Sequence, residues 1–181
     1  MVELLVLEMV EKQYITDMLV LDIIYDIENL KNKKYSNLYN GEIKKDRYGR
    51  NMPKPAHGTY RLENKTSSTK IIMDGFIKLY DNIANKNLSI RKINICVGNL
   101  SNESEENKKI EYEQMDLFTN YEEKEKELKK KNQNLKREKS LQNAIINIKN
   151  KYGKNAIIKG MNLEEGGTTI ERNKQIGGHR E

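Results

Sequence analysis

A single cysteine, Cys96, rules out an internal disulfide, and its place in an apolar run marks it as an inert core or strand thiol. Only two prolines occur, Pro53 and Pro55, and both stand in one short segment. No apolar run reaches the length that crosses a bilayer. The first residues, Met1 to Glu8, lack the basic start of a secretory signal. These absences make a cytoplasmic protein with no membrane partner the expectation. What is present is charge: 33% of the 181 residues are charged and 36% hydrophobic, with a mean hydropathy of −0.88. That supports one domain with a modest core plus solvated appendages. The net charge of +6 allows nucleic acid, an anionic membrane or an acidic partner, and does not choose among them.

The centre of the chain runs from Pro53 to Ile83. The two prolines cannot donate to a sheet ladder and favour an extended entry. His57 to Leu62 then alternates, with Tyr60 and Leu62 on one side and Thr59, Arg61 and Glu63 on the other, which predicts a short strand. Thr66, Ser67 and Ser68 are all suitable N-caps, and Ile71, Ile72, Phe76, Leu79, Tyr80 and Ile83 recur at helical spacing. A strand therefore runs into an amphipathic helix. The junction, rich in hydroxyls, lysine and backbone donors, suits a phosphate, and a plain capped helix fits the same residues.

On the N-terminal side, residues 2–13 are apolar nearly all round, so that helix needs burial on more than one side. It has no N-cap and begins abruptly, as if a longer helix had been cut. Met18 to Asp26 reads as a strand with Leu19, Leu21, Ile23 and Tyr25 on one face. From Ile27 to Met52 the chain turns polar, with turn signals at Asn40-Gly41 and Tyr48-Gly49. There Tyr35, Tyr39 and Tyr48 interleave with lysine and arginine, a mixture that suits base stacking and phosphate contact, or simply a solvated hairpin extension. Leu88 to Leu100 is a further strand, with Ile93, Ile95 and Val97 facing one way and Lys92, Asn94, Cys96 and Gly98 the other. A sheet with helices on one face and that polar, basic surface on the other is a candidate phosphate-backbone platform or a solvent-facing sheet.

Beyond Leu100 the composition changes. Residues 101–113 are polar and acidic, and Tyr121 to Lys139 is a Glu/Lys/Asn run with only Leu128 and Leu135 apolar, an exposed helix held by charge pairs. From Leu141 a helical stripe returns through Ala144, Ile145, Ile148 and Tyr152, and Gly153 fits the residue after a helix end. Ala156 to Ile158 is a short strand candidate, and from Glu164 the tail reads as Gly-rich and loose. The chain thus divides into a domain over 1–100, a linker over 101–120 and a charged helix with tail over 121–181.

Within that linker stands Gln114-Met115-Asp116-Leu117-Phe118, a polar anchor followed by an apolar pair in polar surroundings. Such a peptide binds by sending two apolar side chains into a pocket while an amide fixes register, or folds back on its own domain. All five positions resemble the bacterial sliding-clamp-binding motif. Other segments appear in order around it: Asp46-Arg47-Tyr48-Gly49-Arg50, Pro53-Lys54-Pro55-Ala56-His57-Gly58-Thr59, Thr66-Ser67-Ser68-Thr69-Lys70 and Arg91-Lys92-Ile93-Asn94-Ile95, with Gly153-Lys154-Asn155-Ala156 and Glu171 to His179 after it. Together, over nearly the whole chain, they resemble the C-terminal part of bacterial Y-family translesion DNA polymerases, in the UmuC-like branch.

The resemblance implies an α+β fold of the "little finger" type: an antiparallel sheet with two helices on one face, its first strand missing, then a flexible linker and a helical tail. It implies DNA held by its backbone through Lys54, His57, Thr59, Arg61, Ser67, Ser68, Thr69, Lys70, Arg91 and Lys92. It implies sliding-clamp binding through Gln114, Met115, Asp116, Leu117 and Phe118. The palm carboxylates that hold catalytic magnesium in the family have no counterpart motif here, so no cofactor and no polymerase activity are expected of this chain alone. A clamp-binding interaction protein that competes with polymerases is the alternative.

Overall fold

The structure, a computed structural model, describes residues 1–31, 39–106 and 121–174. The chain forms two compact units, Met1–Tyr112 and Glu113–Glu181. The first is α+β, as the alternation of strand and helix periods predicts.

Helix α1 (Val2–Glu11) buries Val2, Val6, Leu7, Met9 and Val10, while Leu4 stays in solvent. Gln13 takes a left-handed conformation (φ 57°), which ends the helix and turns the chain into strand β1 (Tyr14–Tyr25). The strand is longer than its apolar run alone predicts. It buries Leu19, Leu21, Ile23 and Tyr25 on one face, as the period-two pattern requires. A short helix α2 (Glu28–Lys31) follows. Asn29, only 1% exposed, ties it down: its amide donates to the Asp26 and Ser89 carbonyls, both at 2.8 Å, and accepts from the Ser89 N–H at 2.9 Å. A buried amide with donors and acceptor matched in this way holds two segments 60 residues apart in one position.

Strands β2 (Ile43–Lys45) and β3 (Asn51–Pro53) form a two-stranded antiparallel hairpin within the polar connection, which is therefore a hairpin extension. Strand β4 (Ala56–Thr66) pairs antiparallel with β1, as does strand β5 (Ile90–Gly98) on the other side, giving the order β4-β1-β5. Strand β6 (Ser101–Asn102) also pairs β1, at Tyr14 and Ile15. Where the β1–β4 register breaks, the Thr16 hydroxyl is fully buried and donates to the Gly98 carbonyl at 2.5 Å. It ties this irregular stretch of β1 to the end of β5 on the other edge. A short helix α4 (Glu103–Glu106) closes the described part of this unit.

Helix α3 (Thr69–Ile83) starts at Ser68, whose hydroxyl accepts from the Ile71 N–H at 3.3 Å. Of the three candidate caps Ser68 is thus the one used, and Thr66 instead accepts from the Ser68 N–H. Ile72, Gly75, Phe76 and Leu79 face the sheet. At its end the Tyr25 hydroxyl accepts from the Asn85 N–H at 2.8 Å, so the central strand also fixes the helix C-terminus. Helices α1 and α3 lie together on the face of the sheet that carries Leu19, Leu21 and Ile23.

The second unit is helix α5 (Tyr121–Tyr152), a turn, a 3-10 helix (Gly160–Leu163) and helix α6 (Thr169–Asn173). Gly153, at φ +96°, ends α5 with its N–H on the Lys149 carbonyl at 2.9 Å, as expected of a residue after a helix end. Two sequence expectations are corrected here. Ala156 and Ile157 form bends and Ile158 no regular structure, with no strand among the described residues paired to them. The tail beyond Glu164 is not uniformly loose, since Asn173 donates its amide to Asn155 at 2.6 Å and holds α6 against the turn.

Helix α3 approaches the sheet so closely at Gly75 that a β-carbon there would stand 2.6 Å from Leu19 Cδ1 and 3.2 Å from Leu62 Cδ2. Helix propensity alone favours alanine over glycine by about 1 kcal/mol. Overpacking against a fully buried leucine costs about 1–3 kcal/mol. Gly75→Ala should therefore lower the denaturation midpoint; a rise would mean that the interface is looser than this geometry.

Candidate nucleic-acid interface

The face of the sheet opposite the helices is built by cross-strand register. Asp22 of β1 stands between His57 of β4 and Asn94 of β5. Val20 stands between Thr59 and Cys96, Met18 between Arg61 and Gly98, and Ile24 is paired with Lys92. Alternation sends these side chains to one surface. His57, Thr59, Arg61 and Lys92 are exposed on it, around a half-buried stripe of Met18, Val20 and Ile24. Six positions along β1 separate the Arg61 and Lys92 pairs, about 20 Å at ~3.3 Å per residue.

The charge of this surface is nearly balanced. His57 Nδ1 lies 2.6 Å from Asp22 Oδ1, with side chains 63% and 42% exposed. With Asp22 ionised the carboxylate only accepts, so the hydrogen bond is donated by Nδ1–H. Glu63 follows Arg61 by two residues on the same strand. The exposed cations Arg61 and Lys92 thus stand at the two ends of the surface.

The remaining sequence-predicted residues are dispersed. Arg91 is the extra residue of a bulge, since Ile24 pairs Lys92 and Tyr25 pairs Ile90, so it falls out of the row that Lys92 joins. Lys54 sits at the hairpin base, where its ammonium pairs with Glu42 at 2.7 Å and its N–H donates to the Glu42 carbonyl at 2.9 Å. The hydrogen bond between them, with its charge attraction, raises the Lys54 pKa and lowers that of Glu42. Ser67, Ser68, Thr69 and Lys70 stand at the start of α3, which covers the other face of the sheet. Ser68 is buried and committed to its cap. Gln114, Met115, Asp116, Leu117 and Phe118 lie outside the described residues, as does Tyr35.

A second basic element is the β2–β3 hairpin. Residues 42–54 hold five cations, Lys44, Lys45, Arg47, Arg50 and Lys54, against two carboxylates, Glu42 and Asp46. Asp46 accepts from the N–H groups of Tyr48 (2.8 Å) and Arg50 (2.9 Å) and from Arg50 Nε (2.8 Å). Partial burial pushes the Asp46 carboxyl up, but these hydrogen bonds and the Arg50 charge outweigh it and hold the group below its ordinary range. A carboxyl depressed in the folded chain stabilises above its unfolded pKa of about 3.9 and loses that contribution as pH falls through the lower folded value. In an NMR pH titration the Tyr48 and Arg50 amides should lose their turn shifts in a step centred below the ordinary aspartate value. Asp46→Asn should remove that step, and a transition centred at or above pH 4 in the parent would contradict the arrangement.

Among the described residues no helix is long and apolar enough to cross a membrane. No family of known proteins, no curated protein and no solved structure matches this chain.

Proposed function

We propose that this chain is the DNA-gripping, clamp-recruited C-terminal portion of a Y-family translesion DNA polymerase of the UmuC-like branch, non-catalytic by itself. The observation that carries the proposal is the order of motifs along the sequence, ending in a linker peptide that resembles the clamp motif at all five positions, Gln114 to Phe118. The α+β fold, an antiparallel sheet with both long helices of the first unit on one face, is consistent with a little-finger domain. On this reading the open face carrying His57, Thr59, Arg61 and Lys92 rides on the DNA backbone, with the basic hairpin beside it. Arg61 and Lys92, about 20 Å apart at ~3.3 Å per residue, span roughly six base-pair steps at ~3.4 Å each. Binding of this kind reads charge and little sequence, and it weakens with salt. The clamp peptide supplies the localisation that so weak a grip lacks, through effective concentration.

Replacing two phosphate-contacting cations should change the salt dependence by a set amount. Arg61→Ala with Lys92→Ala should weaken duplex DNA binding uniformly across sequences and reduce the slope of log affinity against log salt by about 2. An unchanged slope, measured by anisotropy at several salt concentrations, would remove the open face from the interface. Leu117→Ala with Phe118→Ala should abolish binding to the sliding clamp of the same cell in a calorimetric titration while leaving DNA affinity intact. Clamp affinity retained in that variant would end the clamp assignment.

A further inference from the structure

The tip of the β2–β3 hairpin is held more firmly than an exposed turn requires. Asp46 is its hub, binding the Tyr48 and Arg50 amides and the Arg50 guanidinium, whose second nitrogen lies 2.7 Å away. The Asp46 N–H donates to the Arg50 carbonyl at 2.9 Å and the Gly49 N–H to the Asp46 carbonyl at 3.0 Å. Gly49, at φ +77°, supplies the left-handed residue that closes the turn. The base is equally fixed: Met52 and Pro53 are buried, and the Tyr39 hydroxyl donates to the Glu42 carbonyl at 2.6 Å while accepting from the Lys54 N–H at 3.0 Å.

On this frame the Tyr48 side chain stands 79% exposed. Arg50 lies over the ring at 5.1 Å from its centroid. Since Asp46 already neutralises Arg50, that guanidinium acts here as a flat support and not as a phosphate contact. Lys45 and Arg47, both exposed, have no ion-pair partner among the described residues. One supported aromatic ring with unpaired cations one and three residues away is the combination that binds single-stranded nucleic acid, the ring stacking a base and the cations holding the adjoining phosphates. Preorganisation lowers the entropy cost of forming the stack. An exposed apolar patch would favour a protein partner, whereas the turn residues beside Tyr48 are the charged Asp46, Arg47 and Arg50.

We propose that the hairpin tip is a stacking site for an unpaired DNA base, with Tyr48 taking the base and Lys45 and Arg47 the flanking phosphates. This deepens the DNA-gripping reading above and rests on it. It adds a preference for unpaired DNA, because bases inside a duplex already stack on one another and leave no face for Tyr48.

The test uses the full chain, with Tyr48→Ala and Tyr48→Phe. The probes are a single-stranded oligonucleotide with a central 2-aminopurine and a blunt duplex of equal length. Tyr48→Ala should weaken single-strand affinity about tenfold and leave duplex affinity within about twofold. Tyr48→Phe, which keeps the ring, should bind as the parent does. The parent and the phenylalanine variant should quench the 2-aminopurine, and the alanine variant should not. Parent-like single-strand affinity in Tyr48→Ala, with duplex binding present, overturns this inference alone. Equal loss on both probes overturns the preference for an unpaired base. A parent chain that binds neither probe overturns the DNA reading together with this one.

Discussion

The pairing of β1 on both its edges is the constraint from which the rest of the first unit follows. The strand gives one face to Leu19, Leu21, Ile23 and Tyr25, and α1 and α3 close over them. Each such side chain contributes about 1.5–3 kcal/mol when buried. A one-residue slip would move the whole set into solvent, so the register is strongly fixed. Once it is fixed, the neighbours of Met18, Val20, Asp22 and Ile24 on the open face have no freedom either. The core therefore decides which polar groups meet on the opposite surface. Tyr25 extends that control to the loop after α3, where its hydroxyl accepts from the Asn85 N–H.

That coupling makes the open face a more reserved electrostatic surface than a count of its cations implies. His57 meets Asp22 because the register places them opposite each other, although 35 residues separate them in sequence. An exposed pair of this kind contributes little to stability, about 0–1 kcal/mol. It still removes a site of unopposed charge from the middle of the sheet. Arg61 and Lys92 then act at the margins, which suits contact along a backbone better than capture of a single anion. The hairpin follows the opposite plan, with the Asp46 carboxylate spent on shaping the turn and Lys45 and Arg47 left to solvent.

Features that depend on period are legible in the chain, and features that depend on register or on distant partners are not. The alternation of Leu19, Leu21, Ile23 and Tyr25 and the helical spacing of Ile72, Phe76 and Leu79 announce their elements directly. Gly153 announces the end of α5 for the same local reason. The extension of β1 back to Tyr14 was hidden because it depends on Gln13, a non-glycine residue in left-handed conformation. Asn29 looked like one more polar residue in a polar stretch, since the carbonyl and amide of Ser89 that justify its burial lie 60 residues on. The bulge that sets Arg91 apart from Lys92 leaves no mark in sequence, because it is a property of how two strands meet. Thr66, Ser67 and Ser68 each read as a cap, and which of them serves is settled only when the Ser68 hydroxyl is seen on the Ile71 N–H.

The two basic elements of the first unit differ in the free-energy term that limits them. On the sheet, position is rigid, because moving Arg61 or Lys92 means moving a strand whose other face is core. Charge is the scarce quantity there, and salt screening over about 8–10 Å would weaken two separated cations readily. On the hairpin, charge is plentiful and position is what had to be built, through Asp46, Gly49 and the Tyr39–Glu42–Lys54 bonds at its base. An aromatic contact is far less sensitive to salt than a phosphate contact, since it releases no counterions. On the proposed reading the two surfaces would combine a component that fades with ionic strength and one that persists, the persisting part on the element whose exposed ring the core does not need.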